Sequence, residues 1–393
     1  MIKLIPTQEL QLGMYIHKLG VFWIKHPLIC NRLLLTDPRQ IAAISECGIE
    51  QVWIDLEKSV MPKPAEIVMG SENRSIAPAP LPGSFLNELA QAKYICQQGT
   101  SQVKDMFGEA RLGQIIDVNG TMSLVEEITG SIDRHPSALI SVARLKNHDD
   151  YTYLHSVAVC ALMIGLGRRL QLDDQQVRLA GMGGLLHDLG KATVPLDILN
   201  KPGKLTEAEF EQMRKHPITG AEMLFNAGAG DELIDIALHH HEKFDGSGYP
   251  HGLKGEKISS FARMAAVCDV YDAVTSNRAY RDGWNPSEAM HRMANWNGHF
   301  DQTFFYAFVK SVGIYPVGTL VRLVSGRVAM VVEPGEKSLL RPKVKVFWSL
   351  ISARAIPVET IDLADGFSCD SIVSPEDIAQ WQHINFSEVW MTE

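Results

Sequence analysis

Organised sulfur chemistry is the first thing missing. The chain has 393 residues and six cysteines, at 30, 47, 96, 160, 268 and 369. No two stand in Cys-x-x-Cys spacing, and several lie inside apolar runs. Such thiols are expected to be buried or free in a reducing compartment, which argues against a disulfide framework or a thiolate metal site. A basic excess is missing too. With 37 Lys and Arg against 46 Asp and Glu, the formal charge is -9. That excludes unspecific DNA binding driven by a positive field, but not a small phosphate ligand held by local cations. Long apolar stretches are also lacking: the longest, "VAVCALMIGLG" at 157–167, stops at Arg168 and Arg169 and is too short to span a bilayer. The start, "MIKLIPTQELQLG", has no signal-peptide pattern. A soluble, cytoplasmic protein without membrane contact is expected. There is no Gly-x-Ser-x-Gly elbow, no phosphate loop of the Gly-Lys-Ser/Thr kind, no dinucleotide fingerprint and no internal repeat.

What is present divides the chain. Residues 1–61 mix β-like runs ("GMYIHKLG", "QVWIDL") with a helix-like stretch near "PRQIAAISECG", as in a small α+β module. Residues 62–83 are rich in Pro, Ala and small polar residues without apolar periodicity, as in a linker. From about Ser84 to Ser311 the pattern is helical. Asp173 is placed to cap one helix, Thr206 and Glu209 form a capping box, and Ser259 or Ser260 caps "FARMAAVCDVYDAVTS". Asn285-Pro286 opens another helix, with proline in its first turn. After Pro316, "TLVRLV", "RVAMVVE" and "KVKVFWS" are β-rich, the first two separated by the hairpin signal Ser325-Gly326. The last forty or so residues carry no clear pattern. The fold class is therefore mainly α, with a small N-terminal α+β module and a β-rich C-terminal extension.

Histidine and aspartate cluster in the helical part: His155, His187-Asp188, His216, His239 to His241, Asp269 and Asp272. Imidazoles and carboxylates without sulfur suit iron, manganese, nickel or zinc. Within "DELIDIALHHHE", the apolar stripes Ile234–Ala237–Leu238 and Leu233–Ile236–Ala237 continue to His241 and His240, while His239 falls with Glu232 and Asp235 on the polar face. His240 and His241 should face inward, and His239 should be a bystander. His216 precedes Pro217, which pushes it out of the α region, so it should end or kink its helix. Gly190, after the His187 helix, suits a left-handed cap that returns Lys191 to the site. Lys191 with Arg278 and Arg281 suggests an anionic substrate, most simply a phosphoester. Asp272 is divided between a place in the site and a simple bond to a neighbouring helix.

Four ordered stretches, "LLHDLGK", "KPGKLTEAEFEQMRKHP", "HHEKFDGSGYPHGLKGEKI" and "ARMAAVCDVYDAVTSNRAYR", resemble the HD-GYP domain, a branch of the HD metal-dependent phosphohydrolases. The likeness covers roughly residues 138–312 and includes the "NGHF" stretch around Gly298 and Phe300. It implies an all-helical HD-type bundle at 138–312, connecting helices at 84–137 and a C-terminal extension at 313–393. It also implies hydrolysis of cyclic di-GMP to linear pGpG, in many members continued to GMP. By motif, the metal ligands would be His155, His187, Asp188 and Asp269, with His216, His240 and His241 holding the second ion. Asp188 would bridge two divalent transition metals, iron or manganese first, nickel or zinc next. Lys191, Arg278 and Arg281 would contact substrate phosphates, and Lys191 with Asp188 would serve the catalytic step. Gly248-Tyr249-Pro250 is the GYP motif, with Tyr249 a candidate for substrate or partner contact. Members with three metals carry Glu four residues before the first histidine; Tyr151 stands there, which implies two metals and puts the second hydrolysis in question.

Other classes compete. One is a non-catalytic cyclic di-GMP receptor, or a module docking diguanylate cyclase (GGDEF) proteins through the GYP loop. Another is an HD phosphohydrolase for a different cyclic dinucleotide. A third places the function in residues 1–61 as a sensor. A homodimer is an open arrangement for a signalling protein of this size.

Overall fold

The computed structural model describes residues 2–19, 33–35, 41, 51–55, 58–59, 85–143, 151–276, 283–335, 338–365, 370–381 and 383–391. It divides into two units, Met1–Ala79 and Pro80–Glu393.

The first unit holds a four-stranded antiparallel sheet of order β1-β4-β2-β3, with β1 at Ile2–Pro6, β2 at Tyr15–Leu19, β3 at Leu33–Leu34 and β4 at Gln51–Asp55. Ile5, Leu10, Ile16, Leu35, Val52 and Ile54 form its core. The β-like runs of the sequence are strands β2 and β4. Apart from Ile41, the helix-like stretch near 38–48 lies outside the described residues, as does the expected linker at 62–83.

The second unit is helical to residue 312. Helix α1 runs Phe85–Arg111, α2 Met122–Arg134, α3 Pro136–Ala143, α4 Tyr151–Arg169 and α5 Asp174–Leu186. Then come α6 at Glu207–Met213, α7 at His216–Asn226, α8 at Asp231–His239, α9 at Ser260–Thr275, α10 at Pro286–Ala294 and α11 at Gln302–Val312. Helix α4 is the axis. Every residue from His155 to Gly167 is buried, as expected of a helix apolar on all sides, and α1, α2, α3, α5, α9 and α11 pack around it. Helix α5 approaches it through small residues: a Cβ on Gly184 would stand 2.9 Å from the Cα of Cys160. That closeness brings the end of α5 level with His155.

Local signals set the helix ends. Asp173 accepts from the amide of Gln176 in a capping box, and Thr206 does so with Glu209. Ser259, of the two candidate serines, caps α9, and Asn285 caps α10 with Pro286 in its first turn. Each satisfies a donor that the helix leaves unpaired.

Beyond α11, five antiparallel strands follow in the order β8-β7-β6-β5-β9: β5 Leu320–Leu323, β6 Arg327–Glu333, β7 Lys343–Ser349, β8 Arg354–Asp362 and β9 Ile372–Pro375. Gly326, at φ 72°, makes the β5–β6 turn. Alternate residues of β6 feed two cores, Val328 and Met330 beside Phe347 and Trp381, and Ala329 and Val331 beside Val344 and Val346. This follows from the two-residue period of a strand. The end of the chain, patternless as sequence, supplies β8, β9 and a short helix α12 at Phe386–Met391. Strand β8 is exposed or half-buried along its whole length, so no apolar alternation announces it. Cys96, Cys160 and Cys268 are buried free thiols. Among the described residues, no helix is long and apolar enough to cross a membrane.

Candidate metal centre

Five stretches of the second unit converge. His155 comes from α4 and Asp269 from α9; His187 and Asp188 stand just past α5; His216 opens α7; His240 and His241 follow α8. Asp188 is the hub, with 1% of its surface exposed. Its Oδ1 lies 3.2 Å from His216 Nε2 and 3.7 Å from His240 Nε2. Its Oδ2 lies 3.3 Å from His187 Nε2 and 3.5 Å from His155 Nε2, and accepts from Lys191 Nζ at 2.5 Å. Asp269 Oδ1 is 3.0 Å from His155 Nε2, and its Oδ2 is 3.7 Å from His241 Nδ1. The potential donors fall into two groups: Asp188, His216, His240 and His241 in one, His155, His187 and Asp269 in the other.

The imidazoles are held from behind. His187 Nδ1 donates to the carbonyl of Gly184 at 2.8 Å, His216 Nδ1 to Met213 at 2.7 Å and His240 Nδ1 to Ala237 at 2.9 Å. A carbonyl only accepts, so the proton sits on Nδ1 and the Nε2 lone pair points inward. His155 Nδ1 meets Asp272 Oδ2 at 2.6 Å, a carboxylate behind a histidine of the kind that orients metal ligands. Asp272 thus belongs to the site. The sequence left it undecided, although its place three residues after Asp269 puts both on one face of α9.

The atoms aimed at the centre lack partners: His187 Nε2 and Asp188 Oδ1 are buried without a hydrogen bond. Orphaned polar atoms are costly, and here they point into a set of nitrogen and oxygen donors that suits a first-row divalent cation. The residues present fit such ions. Electrostatics agree. Burial pushes Asp188 up, but His187, Lys191 and His216 outweigh it and hold the carboxyl well below its usual range. Burial likewise raises Asp269, and His155, His241 and His187 reverse it. Burial, then His241, His187 and His216, push His240 well down, and burial with His216 brings His241 to about 3. Both are neutral imidazoles at neutral pH, as a metal ligand must be.

Two local expectations need correction. His216 does not end a helix: α6 stops at Met213, and His216 is the first residue of α7 with Pro217 in its opening turn. Proline lacks only an N–H that this turn leaves unpaired anyway. Gly190 is not a left-handed cap, since it is absent from the positive-φ glycines. Its reason is space, because a Cβ there would stand 2.0 Å from the carbonyl oxygen of His216. The turn carrying Asp188 and Lys191 therefore lies directly on the start of α7.

The GYP segment folds over His241. A Cβ on Gly248 would meet the amide of Lys243 at 2.3 Å, so glycine lets the loop lie on the backbone of His241 to Lys243. The Tyr249 ring sits 4.8 Å from that of His241, and the Arg214 guanidinium lies 4.6 Å above it. Buried Glu242 anchors the loop by accepting from the amides of His251 and Leu253 at 2.7 and 3.0 Å. Arg214 and Glu242 were not legible as site residues, because neither repeats at a spacing that points to the histidines. Arg278 and Arg281 lie outside the described residues, as does the side chain of Tyr151.

A family model described as an HD domain matches residues 131–304, and one described as a domain of unknown function (DUF3391) matches residues 2–121. The chain is 48% identical to cyclic di-GMP phosphodiesterase PA4108 of Pseudomonas aeruginosa, over 99% of this chain and 96% of that protein. It is 45% identical to the cyclic di-GMP phosphodiesterase response regulator RpfG of Xanthomonas campestris, over 32% of this chain and 34% of that protein. It is 34% identical to 3′3′-cGAMP-specific phosphodiesterase 1 of Vibrio cholerae, over 41% of this chain and 38% of that protein.

Proposed function

The chain belongs to the HD-domain family, as a member of its HD-GYP branch, and from that premise we propose that it is a metal-dependent phosphodiesterase hydrolysing cyclic di-GMP to linear pGpG. The observation that carries the reading is the convergence on Asp188 of imidazoles whose outer nitrogens are already committed, leaving His187 Nε2 and Asp188 Oδ1 buried without partners. Residues 138–312 form the catalytic domain, with 84–137 as connecting helices. Residues 1–61 are an accessory module joined through 62–83, and 313–393 are a C-terminal extension.

His155, His187 and Asp269 would hold one ion and His216, His240 and His241 the other, with Asp188 placed within reach of both. Bound divalent cations supply an acidified water and neutralise charge on the phosphoryl group. The chain supplies the rest. Asp272 and the carbonyls of Gly184, Met213 and Ala237 fix which imidazole nitrogen faces inward. Lys191, drawn to the centre by Asp188, offers its ammonium to a non-bridging phosphate oxygen, and Arg278 and Arg281 are assigned the same task by motif. Tyr249, backed by Arg214 and lying against His241, forms a wall against which a substrate ring can rest.

Anaerobic purification, metal analysis and chromatography of the product from cyclic di-GMP test this. Two iron or manganese ions per chain and accumulating pGpG are expected, since Tyr151 stands where a third ion would need a carboxylate. Binding without turnover would make the protein a receptor. Rapid release of GMP would overturn the single-step reading, and faster cleavage of 3′3′-cGAMP would reassign the substrate.

A further inference from the structure

A second set of potential metal donors lies outside the centre. His239, the histidine that periodicity makes a bystander, donates from Nδ1 to Asp235 Oδ1 at 2.6 Å. Its other nitrogen, Nε2, faces His251 Nδ1 at 3.0 Å. Glu242 lies beside them, and one donor atom from each of His239, Glu242 and His251 falls within 4.8 Å of the others. These three side chains come from the end of α8, the turn after it and the residue following Pro250.

We propose that His239, His251 and Glu242 form an outer site for a zinc-type divalent cation, which pins the loop bearing Tyr249 to the end of α8. Three features support it. Asp235 Oδ1 accepts from His239 Nδ1, so Nε2 is turned away from the carboxylate, an arrangement that orients and strengthens ligating histidines. Two donors bound side by side at roughly 2.0–2.1 Å from one ion lie about 3 Å apart, the separation of the two ring nitrogens. Glu242 has only 2% of its surface exposed, yet its partners are two backbone amides and, among the described residues, no Lys or Arg. A buried carboxylate without a cation is expensive, and its oxygens keep lone pairs free. Two imidazoles and a carboxylate suit zinc or copper better than calcium or magnesium. His251 is exposed, so the site is open to ions from solvent.

The cation would act on order, not on bond cleavage. Gly248, Tyr249 and His251 sit on one short loop, and fixing His251 fixes the Tyr249 ring against His241.

The test counts ions. Full-length wild type and the variants His251→Gln, His239→Gln and His240→Asn are dialysed against buffered micromolar zinc, and bound zinc is measured by elemental analysis. Wild type is expected to hold one ion more than His251→Gln or His239→Gln, and a variant carrying both of these substitutions to lose the same single ion. His240→Asn, which strikes the inner centre, is expected to keep the outer ion. Amide hydrogen exchange over residues 242–253 should slow about tenfold with zinc in wild type and not in His251→Gln. Equal zinc content in wild type and His251→Gln would reduce the pair to a plain N–H···N hydrogen bond and overturn the proposal. Loss of more than one ion from His251→Gln, or the same exchange rates with and without zinc, would also overturn it.

Discussion

Replacing Asp188 with Asn is the most informative single perturbation. The side chain keeps its size but loses its charge, and one oxygen becomes an NH2 facing imidazole nitrogens. Asp269 also faces both donor groups, but Asp188 reaches the most imidazoles, through Oδ1 to His216 and His240 and through Oδ2 to His187 and His155. Removing one partner from a buried, hydrogen-bonded charge pair costs about 3–5 kcal/mol. At 1.36 kcal/mol per decade, this is about two to four decades in affinity for each ion that the carboxylate serves. The fold should survive. Lys191, the main charge left behind, keeps 21% of its side chain exposed and can turn to solvent, so the metal-free variant should lose no more than about 1–2 kcal/mol. The assay has three parts: metal content after dialysis against a weak chelator, turnover of cyclic di-GMP, and circular dichroism with urea unfolding. Metal content near zero and turnover down at least a hundredfold, with helicity unchanged, is the expected set. A variant that keeps both ions and wild-type turnover would remove Asp188 from the centre and refute the reasoning.

Other outcomes follow from single contacts. Gly190→Ala drives a methyl group into the His216 carbonyl and the Gly220 amide, at 2.0 and 2.5 Å. It should cost about 3 kcal/mol or more, at the upper end of overpacking, seen as a lower urea midpoint together with metal loss. Asp272→Ala removes the carboxylate behind His155 and should weaken metal binding about 10–100-fold, with helicity retained; unchanged affinity would count against its orienting role. Burial, with Lys243 nearby, depresses His299 to about 4. The unfolded chain takes up that proton below about 6.5 and the native protein does not, so stability is present at neutral pH and falls as pH drops from about 6.5 towards 4. At pH 5 the loss from this residue is about 2 kcal/mol. His299→Gln should reduce the difference in urea stability between pH 7.5 and pH 5 by that amount.

The amino-acid order alone determined the helical class, the helix starts and the roster of metal-seeking residues. Caps are local, so Asp173, Thr206 and Asn285 announce themselves within four residues. Periodicity separated His239 from its neighbours because a helix assigns faces at about 100° per residue. Long motifs supplied the family. What no window of sequence contains is the meeting of residues from 155 to 272, because the fold sets distances between elements and the local pattern sets only faces. The tertiary structure therefore decided that Asp272 stands behind His155, that Arg214 lies over Tyr249, and that Gly190 is small because the backbone of α7 presses on it. It also gave His239, on the polar face of α8, a partner of its own in His251, twelve residues away on a loop that folds back. Strand β8 is the counterpart on the side of the fold: pairing with β7 holds it in the sheet, and hydrogen bonds between backbones leave no mark on side-chain pattern.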